Sequence, residues 1–149
     1  MAFKETVHSV LKTKGGAVWS VNPEATVYDA LALMAEKDVG ALVVLSDQKL
    51  AGMFSERDYA RKIILQGKSS RETLVREVMS TPVLTAAPDQ TVEECMRVMT
   101  QNRIRHLPVV DAGALVGVVS IGDLVNSIIS AQAETIQQLS GYIAGKYPG

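Results

Sequence analysis

Two short steps in this sequence carry side chains that can do chemistry: Ser55-Glu56-Arg57-Asp58 and Ser120-Ile121-Gly122-Asp123. A serine followed three residues later by an acid is close to a capping box, in which each side chain satisfies a free backbone N–H at a helix start. Capping accounts well for one such step. Here it occurs twice, each time directly after an apolar run, Leu50 to Phe54 and Leu115 to Val119. That places it at a strand-to-helix turn, where backbone N–H groups are free. A carboxylate at such a turn can accept hydrogen bonds from both hydroxyls of a ribose, and the serine can contribute to the same sugar.

The elements that must position these steps are also written twice. Pro23-Glu24-Ala25-Thr26-Val27 matches Pro88-Asp89-Gln90-Thr91-Val92, and the register continues without a gap through Met34/Met99, Leu42/Leu107, Gly52/Gly117, Asp58/Asp123 and Ile63/Ile128. The offset holds near ~65 residues, too long for a solenoid repeat and right for a duplicated small domain. Each copy reads as helix–strand–strand–helix. Thr26 or Thr91 caps a first helix, with Asp29 or Glu94 three residues on. Strands follow at Ala41 to Leu45 and His106 to Val110, a polar turn with Gly113 in the second copy, and then the runs named above. The second helices run to about Leu65 and Ser130, and extended segments, Ala17 to Val21 and Val83 to Ala87, precede each unit. A shorter similarity, Val7, Val10 and Leu11 against Val75, Val78 and Met79, sits at an offset of ~68. The first copy thus carries extra residues within Lys12-Thr13-Lys14-Gly15-Gly16, against Ser80-Thr81-Pro82. Ala133 to Ile143 reads as one more helix, ended near Gly145 and Pro148. The expected division is 1–67, 68–132 and 133–149. A unit this small buries its helix faces poorly alone. Two back to back solve that, and create a pseudo-twofold cleft.

Composition narrows the function. The chain has 149 residues, 47% hydrophobic and 21% charged, with a net charge of -1. That balance is globular, and no basic excess favours nucleic acid. No apolar run approaches the ~18 residues of a membrane span, and the N-terminus lacks a signal-peptide core. A cytoplasmic location is the default expectation. Cys95 is the single cysteine, so no intramolecular disulfide forms, and on a core helix face it reads as a small buried hydrophobe. With only His8 and His106, a histidine metal site is not expected.

The repeated Gly52-Met53-Phe54-Ser55-Glu56-Arg57-Asp58 and Gly117-Val118-Val119-Ser120-Ile121-Gly122-Asp123, with Arg103-Ile104-Arg105-His106-Leu107-Pro108-Val109-Val110-Asp111, resemble a tandem pair of cystathionine β-synthase (CBS) domains, the Bateman module, from about Thr6 to Ser130. The resemblance implies an α/β (α+β) fold, two β-α-β-β-α repeats packed with pseudo-twofold symmetry. It implies a cytoplasmic regulatory module of the stand-alone bacterial type, not an enzyme. The module would bind an adenosine nucleotide such as AMP, ADP, ATP or NAD, form a homodimer, and signal to a separate effector. No catalytic cofactor, metal, nucleic acid or membrane partner is implied. Carried onto these residues, one cleft combines Ser55, Arg57 and Asp58 with Thr81, Pro82, Val83, Ile104, Arg105 and His106. The other combines Ser120 and Asp123 with Gly16, Ala17, Val18, Val39, Gly40 and Ala41.

The clefts differ in chemistry. The first holds Arg57, Arg105 and His106, and guanidiniums offer phosphate forked, charge-assisted donors. The second has Gly122, Gly40 and Ala41 at those positions and only Lys12 and Lys14 nearby in compensation. The Asp58 cleft is therefore expected to be the stronger nucleotide site. Arg103 reads as a solvated surface residue, and Trp19 as either a cleft wall or a packing residue. The pairs Ile63-Ile64 and Ile128-Ile129 offer apolar surface for a dimer. Two other classes remain open, a small nucleotide-processing enzyme and a structural dimerisation module with vestigial clefts. No nucleophile with a placed base and no Gly-rich phosphate loop favours the enzyme.

Overall fold

A computed structural model describes residues 4–15 and 17–146, with 135–146 as backbone alone. The elements are α1 (Val7–Lys14), β1 (Ser20–Val21), α2 (Val27–Lys37), β2 (Ala41–Ser46), β3 (Lys49–Ser55) and α3 (Glu56–Asp58), which continues as a π-helical segment, Tyr59–Ile64. They are followed by α4 (Val75–Val78), α5 (Val92–Asn102), β4 (His106–Asp111), β5 (Ala114–Ser120) and α6 (Ile121–Lys146). The fold is α+β, and the duplication is visible in it element by element.

The helix starts follow from the threonines. The hydroxyl of Thr26 accepts the N–H of Asp29, and that of Thr91 the N–H of Glu94, each at 3.1 Å. Both helices end on a left-handed residue, Asp38 (φ 53) and Arg103 (φ 54). The strand pairs are antiparallel hairpins in matching register, with Val44 opposite Gly52 and Val109 opposite Gly117. Each turns through two residues of positive φ, Asp47-Gln48 and Ala112-Gly113, as a tight hairpin's right-handed twist requires. The segment before each unit differs. β1 runs parallel to β2, whereas the counterpart in the second copy makes a single bridge, Ala86 to Val109.

Two apolar cores form, and neither is built from one stretch of chain. Val27, Ala30, Leu42, Val44, Phe54 and Ile63 of the first copy enclose Val75 and Val78 of α4. Val92, Cys95, Met99, Leu107, Val119 and Leu124 of the second enclose Val7 and Val10 of α1. The short helix preceding each unit is therefore buried in the other unit. Backbone bonds fix the exchange: Val75 N–H to Ala25 and Arg76 N–H to Pro23 on one side, Val7 N–H to Gln90 and His8 N–H to Pro88 on the other. The division expected near residue 67 separates the repeats along the sequence but not in space. Gly52 and Gly117 admit the exchanged helices. A Cβ on Gly117 would lie 2.7 Å from Leu11, and one on Gly52 would lie 2.7 Å from the Met79 sulfur and 3.1 Å from the Ser80 carbonyl.

Two helices differ from expectation. The second helix of the first copy is one α-turn that widens into the π-helical segment, closed by Leu65 N–H to Ala60 O at 3.1 Å. Ile63 points into the core while Ile64 and Leu65 are exposed, so only the second residue of that isoleucine pair faces solvent. Ile128 likewise packs on the core and Ile129 is exposed. The helix expected to stop near Ser130 and the tail helix are one continuous α6 through Lys146, and Pro148 lies outside the described residues. Among the described residues no helix is long and apolar enough to cross a membrane.

Both glycines are predicted to resist substitution, unequally. Gly117→Ala asks only the flexible tip of Leu11 to move. Gly52→Ala also meets the Ser80 carbonyl, whose bond from Met53 N–H (3.2 Å) ties β3 to the residues after α4. Gly52→Ala should cost about 1–3 kcal/mol and the Gly117 change less, read from urea denaturation midpoints.

Candidate functional site

Two clefts open between the copies, and the capping boxes sit in them. Ser55 N–H and Oγ both donate to Asp58 Oδ2, at 2.9 and 3.1 Å, and Asp58 N–H returns a bond to Ser55 Oγ at 3.2 Å. Ser120 N–H reaches Asp123 Oδ2 at 2.8 Å and Asp123 N–H reaches Ser120 Oγ at 3.1 Å. The capping role is thus real in both copies. It uses one carboxylate oxygen of each acid and leaves the other, Oδ1, for a different partner.

The first cleft has a volume of about 1230 Å³. The structure brings together there Ser55, Arg57, Asp58, Pro82, Val83, Ile104, Arg105 and His106. Thr81 is not part of its wall. Its neighbour Ser80 is, and it was not anticipated: the Ser80 hydroxyl donates to Asp58 Oδ1 at 2.8 Å. Lys62, one helical turn beyond Asp58, reaches the same oxygen at 3.0 Å. Asp58 is only 7% exposed, and its two oxygens together accept from Ser55 N–H, Ser55 Oγ, Ser80 Oγ and Lys62 Nζ. Arg61 and Arg103 also line the cleft. Arg103 was expected to be merely solvated. Instead, as the left-handed residue ending α5, it turns its carbonyl to the Arg57 guanidinium (2.5 Å). That bond joins the helix of one copy to the helix end of the other. Side-chain spacing in the sequence could not show it, because the partner is backbone.

The second cleft is smaller, about 390 Å³, and is walled by Ala17, Val18, Val39, Gly40, Ala41 and Ser120 as expected, with Trp19 among them. Gly16 lies outside the described residues. Trp19 is therefore a cleft wall, with the Lys37 ammonium 4.3 Å from its ring centroid. Asp123 is not among the residues lining this cleft; its side chain is 21% exposed, and its Oδ2 is held by Lys14 at 2.7 Å. Of the two lysines expected to compensate here, Lys14, the last residue of α1, lines the cleft and Lys12 does not. Burial raises the Asp123 pKa, but the hydrogen bonds from Lys14 and Ser120 outweigh that and hold it below its ordinary value.

Gly40, Ala41 and His106 line both clefts. His106 was expected in one only. It sits at the junction, half-buried, and burial together with the nearby Lys14 charge pushes its pKa down, against the opposing pull of Asp123 and Glu56. Cys95 is 1% exposed, and burial and Glu94 push its thiol up, away from nucleophilic use. Among the described residues no group of three or more His, Cys, Asp or Glu side chains could hold a metal ion.

Comparison with known proteins agrees with this geometry. The CBS domain family model matches residues 15–65 and 75–130. The chain is 42% identical to the mitochondrial CBS domain-containing protein CBSX3 of Arabidopsis thaliana, over 95% of this chain and 73% of that one. A solved structure with CBS domains from Burkholderia ambifaria is 48% identical, with a TM-score of 0.82 over 85% of this chain and 96% of that one. A hexameric CBS-CP12 protein from bloom-forming cyanobacteria is 25% identical, with a TM-score of 0.75 over 97% of this chain and 90% of that one.

The depressed His106 pKa has a measurable consequence. The unfolded chain takes up this proton near the ordinary value of 6.5, and the folded chain only at lower pH. Between those two values the unfolded state binds more protons, so stability falls as pH falls below about 6.5. His106→Asn should remove that part of the decline, as read from urea midpoints at successive pH values.

Proposed function

The chain belongs to the CBS domain family of regulatory modules, and from that premise we propose that it senses an adenosine-containing nucleotide in the clefts between its repeats and passes the signal to a separate effector protein. One observation carries the reading: Arg57, Asp58, Arg61 and Lys62 of the first copy converge on the same cleft as Arg103, Arg105 and His106 of the second. Asp58 suits a ribose diol, and the surrounding cations suit phosphate. AMP, ADP, ATP and NAD share that pair of features. The first cleft is the primary site, since its cations exceed what its acids neutralise, whereas the single Lys14 of the second is already paired.

Among the described residues no nucleophile stands beside a placed base, which favours binding and release of the ligand over its transformation. Binding transmits a signal only when two states of the protein bind unequally. A homodimer supplies such states, and the exposed Ile64, Leu65, Val125 and Ile129 offer apolar surface for it. The hexameric relative shows that a chain of this fold can assemble.

Calorimetric titration with AMP, ADP, ATP and NAD tests the reading. Asp58→Ala should weaken binding about 10–100-fold, the cost of a lost charge-assisted hydrogen bond, and Asp123→Ala much less. Equal losses would remove the inequality between the clefts. Conversion of any ligand during long incubation would replace sensing with catalysis, and binding by none of the four would leave a structural assembly module.

A further inference from the structure

We propose that Lys14 is an internal occupant of the second cleft, its ammonium holding the Asp123 carboxylate until the diol of a nucleoside displaces it. This deepens the nucleotide-sensing reading and rests on it. The geometry is specific. Lys14 Nζ donates to Asp123 Oδ2 at 2.7 Å and to the Val118 carbonyl at 2.9 Å. The second bond anchors the ammonium to β5, beside the acid, so its position is built and not an accident of a long side chain. Asp123 Oδ1 accepts no hydrogen bond among the described residues. One oxygen is thus closed by the lysine and one is open, and a diol needs both.

The two copies restrain their acids differently. In the first, the cation is Lys62, at i,i+4 on the same helical segment as Asp58, and it is likewise anchored, to the Val78 carbonyl at 2.9 Å. In the second, the residue in register with Lys62 is Ser127, which instead donates to Glu5. The restraining cation comes from Lys14, 109 residues away, at the end of α1. At the ~68-residue offset that relates α1 to α4, Lys14 stands where the other copy has Pro82. Lys14 is therefore a residue of this copy alone, on the exchanged helix, next to the loop of Gly15 and Gly16 that the first copy adds. The pair is partly open to solvent, with side chains 40% and 21% exposed, so a ligand can reach it.

The charges that face Asp123 and His106 here are Lys14, Glu56, Arg105 and Asp123 itself, and Asp38 lies on the far wall of the cleft. Among the described residues that line this cleft, the one lysine, Lys14, is already paired with Asp123. A neutral nucleoside, or the nucleoside end of a larger ligand, fits it better than a free nucleotide. When such a group displaces Lys14, the lysine charge also leaves His106, which lines both clefts. Occupancy of one cleft then alters the electrostatics of the other.

The test uses the full chain carrying Asp58→Ala, so that the second cleft is read alone, with adenosine as probe and with calorimetry and Trp19 fluorescence as readouts. Adding Lys14→Met should tighten adenosine binding about tenfold, and Lys14→Arg should leave it unchanged. Raising the ionic strength about tenfold should tighten adenosine binding to the lysine-bearing protein, because salt weakens the latch but not a neutral ligand. Adenosine affinity that is unchanged or weaker in Lys14→Met, or no adenosine binding by either protein, overturns the proposal. AMP titration of the protein with Asp58 intact separates the two readings. Normal AMP binding with no Lys14 effect removes the latch alone. A Lys14 effect without AMP binding removes nucleotide sensing at the first cleft and keeps the latch.

Discussion

Everything in this molecule depends on the exchange of two short helices. Each repeat presents a sheet face and two helices around a hollow that its own residues do not fill. The hollow is closed by Val75 and Val78 in one case and by Val7 and Val10 in the other, all nearly inaccessible to solvent. Because each plug comes from the partner repeat's side of the chain, neither core is complete without the other. The clefts are a by-product of that tie. The chain must pass from each plug helix back to its own repeat, and in doing so it lays Ser80, Pro82 and Val83, and Lys14, Gly15, Ala17 and Val18, along the clefts.

That geometry makes the clefts equivalent by position, and side chains then make them different. Both acids are capped alike, yet one is restrained from its own helix and the other from a distant one. The first cleft gathers Arg57, Arg61, Lys62, Arg103 and Arg105 against Glu56 and Asp58. In the second, the cation and the acid cancel. A protein that kept two identical clefts would respond to one ligand twice. Here the fold is duplicated and the charge is not.

Much of this was legible in the sequence because duplication supplies its own control. Thr26 with Thr91, and Ser55 with Ser120, fix the helix starts, and the same spacing located both acids. What escaped was of two kinds. Contacts through backbone, such as Arg57 with the Arg103 carbonyl, leave no trace in side-chain type. Contacts between distant segments, such as Lys14 with Asp123 or Ser80 with Asp58, depend on which repeat each plug helix enters. The similarity of Val7, Val10 and Leu11 to Val75, Val78 and Met79 shows that such helices exist, not that they cross. The broken symmetry of the last helices was hidden too. In the first copy the turn widens into a π-helical segment after Asp58, whereas in the second an α-helix simply runs on.

That uninterrupted helix has a mechanical meaning. From Ile121 to Lys146 it is 26 residues long, about 39 Å at 1.5 Å per residue, and its first turn is the capping box of the second cleft. It is in effect a lever whose fulcrum is the Ser120–Asp123 hydrogen-bond pair. A rod of that length tilted by about 5° at its base sweeps its tip through about 3 Å. The first repeat has no such arm, since its helical segment closes at Ile64. The two repeats therefore differ in reach: a tilt at the second capping box would be carried along α6, and the first repeat has no helix of comparable length.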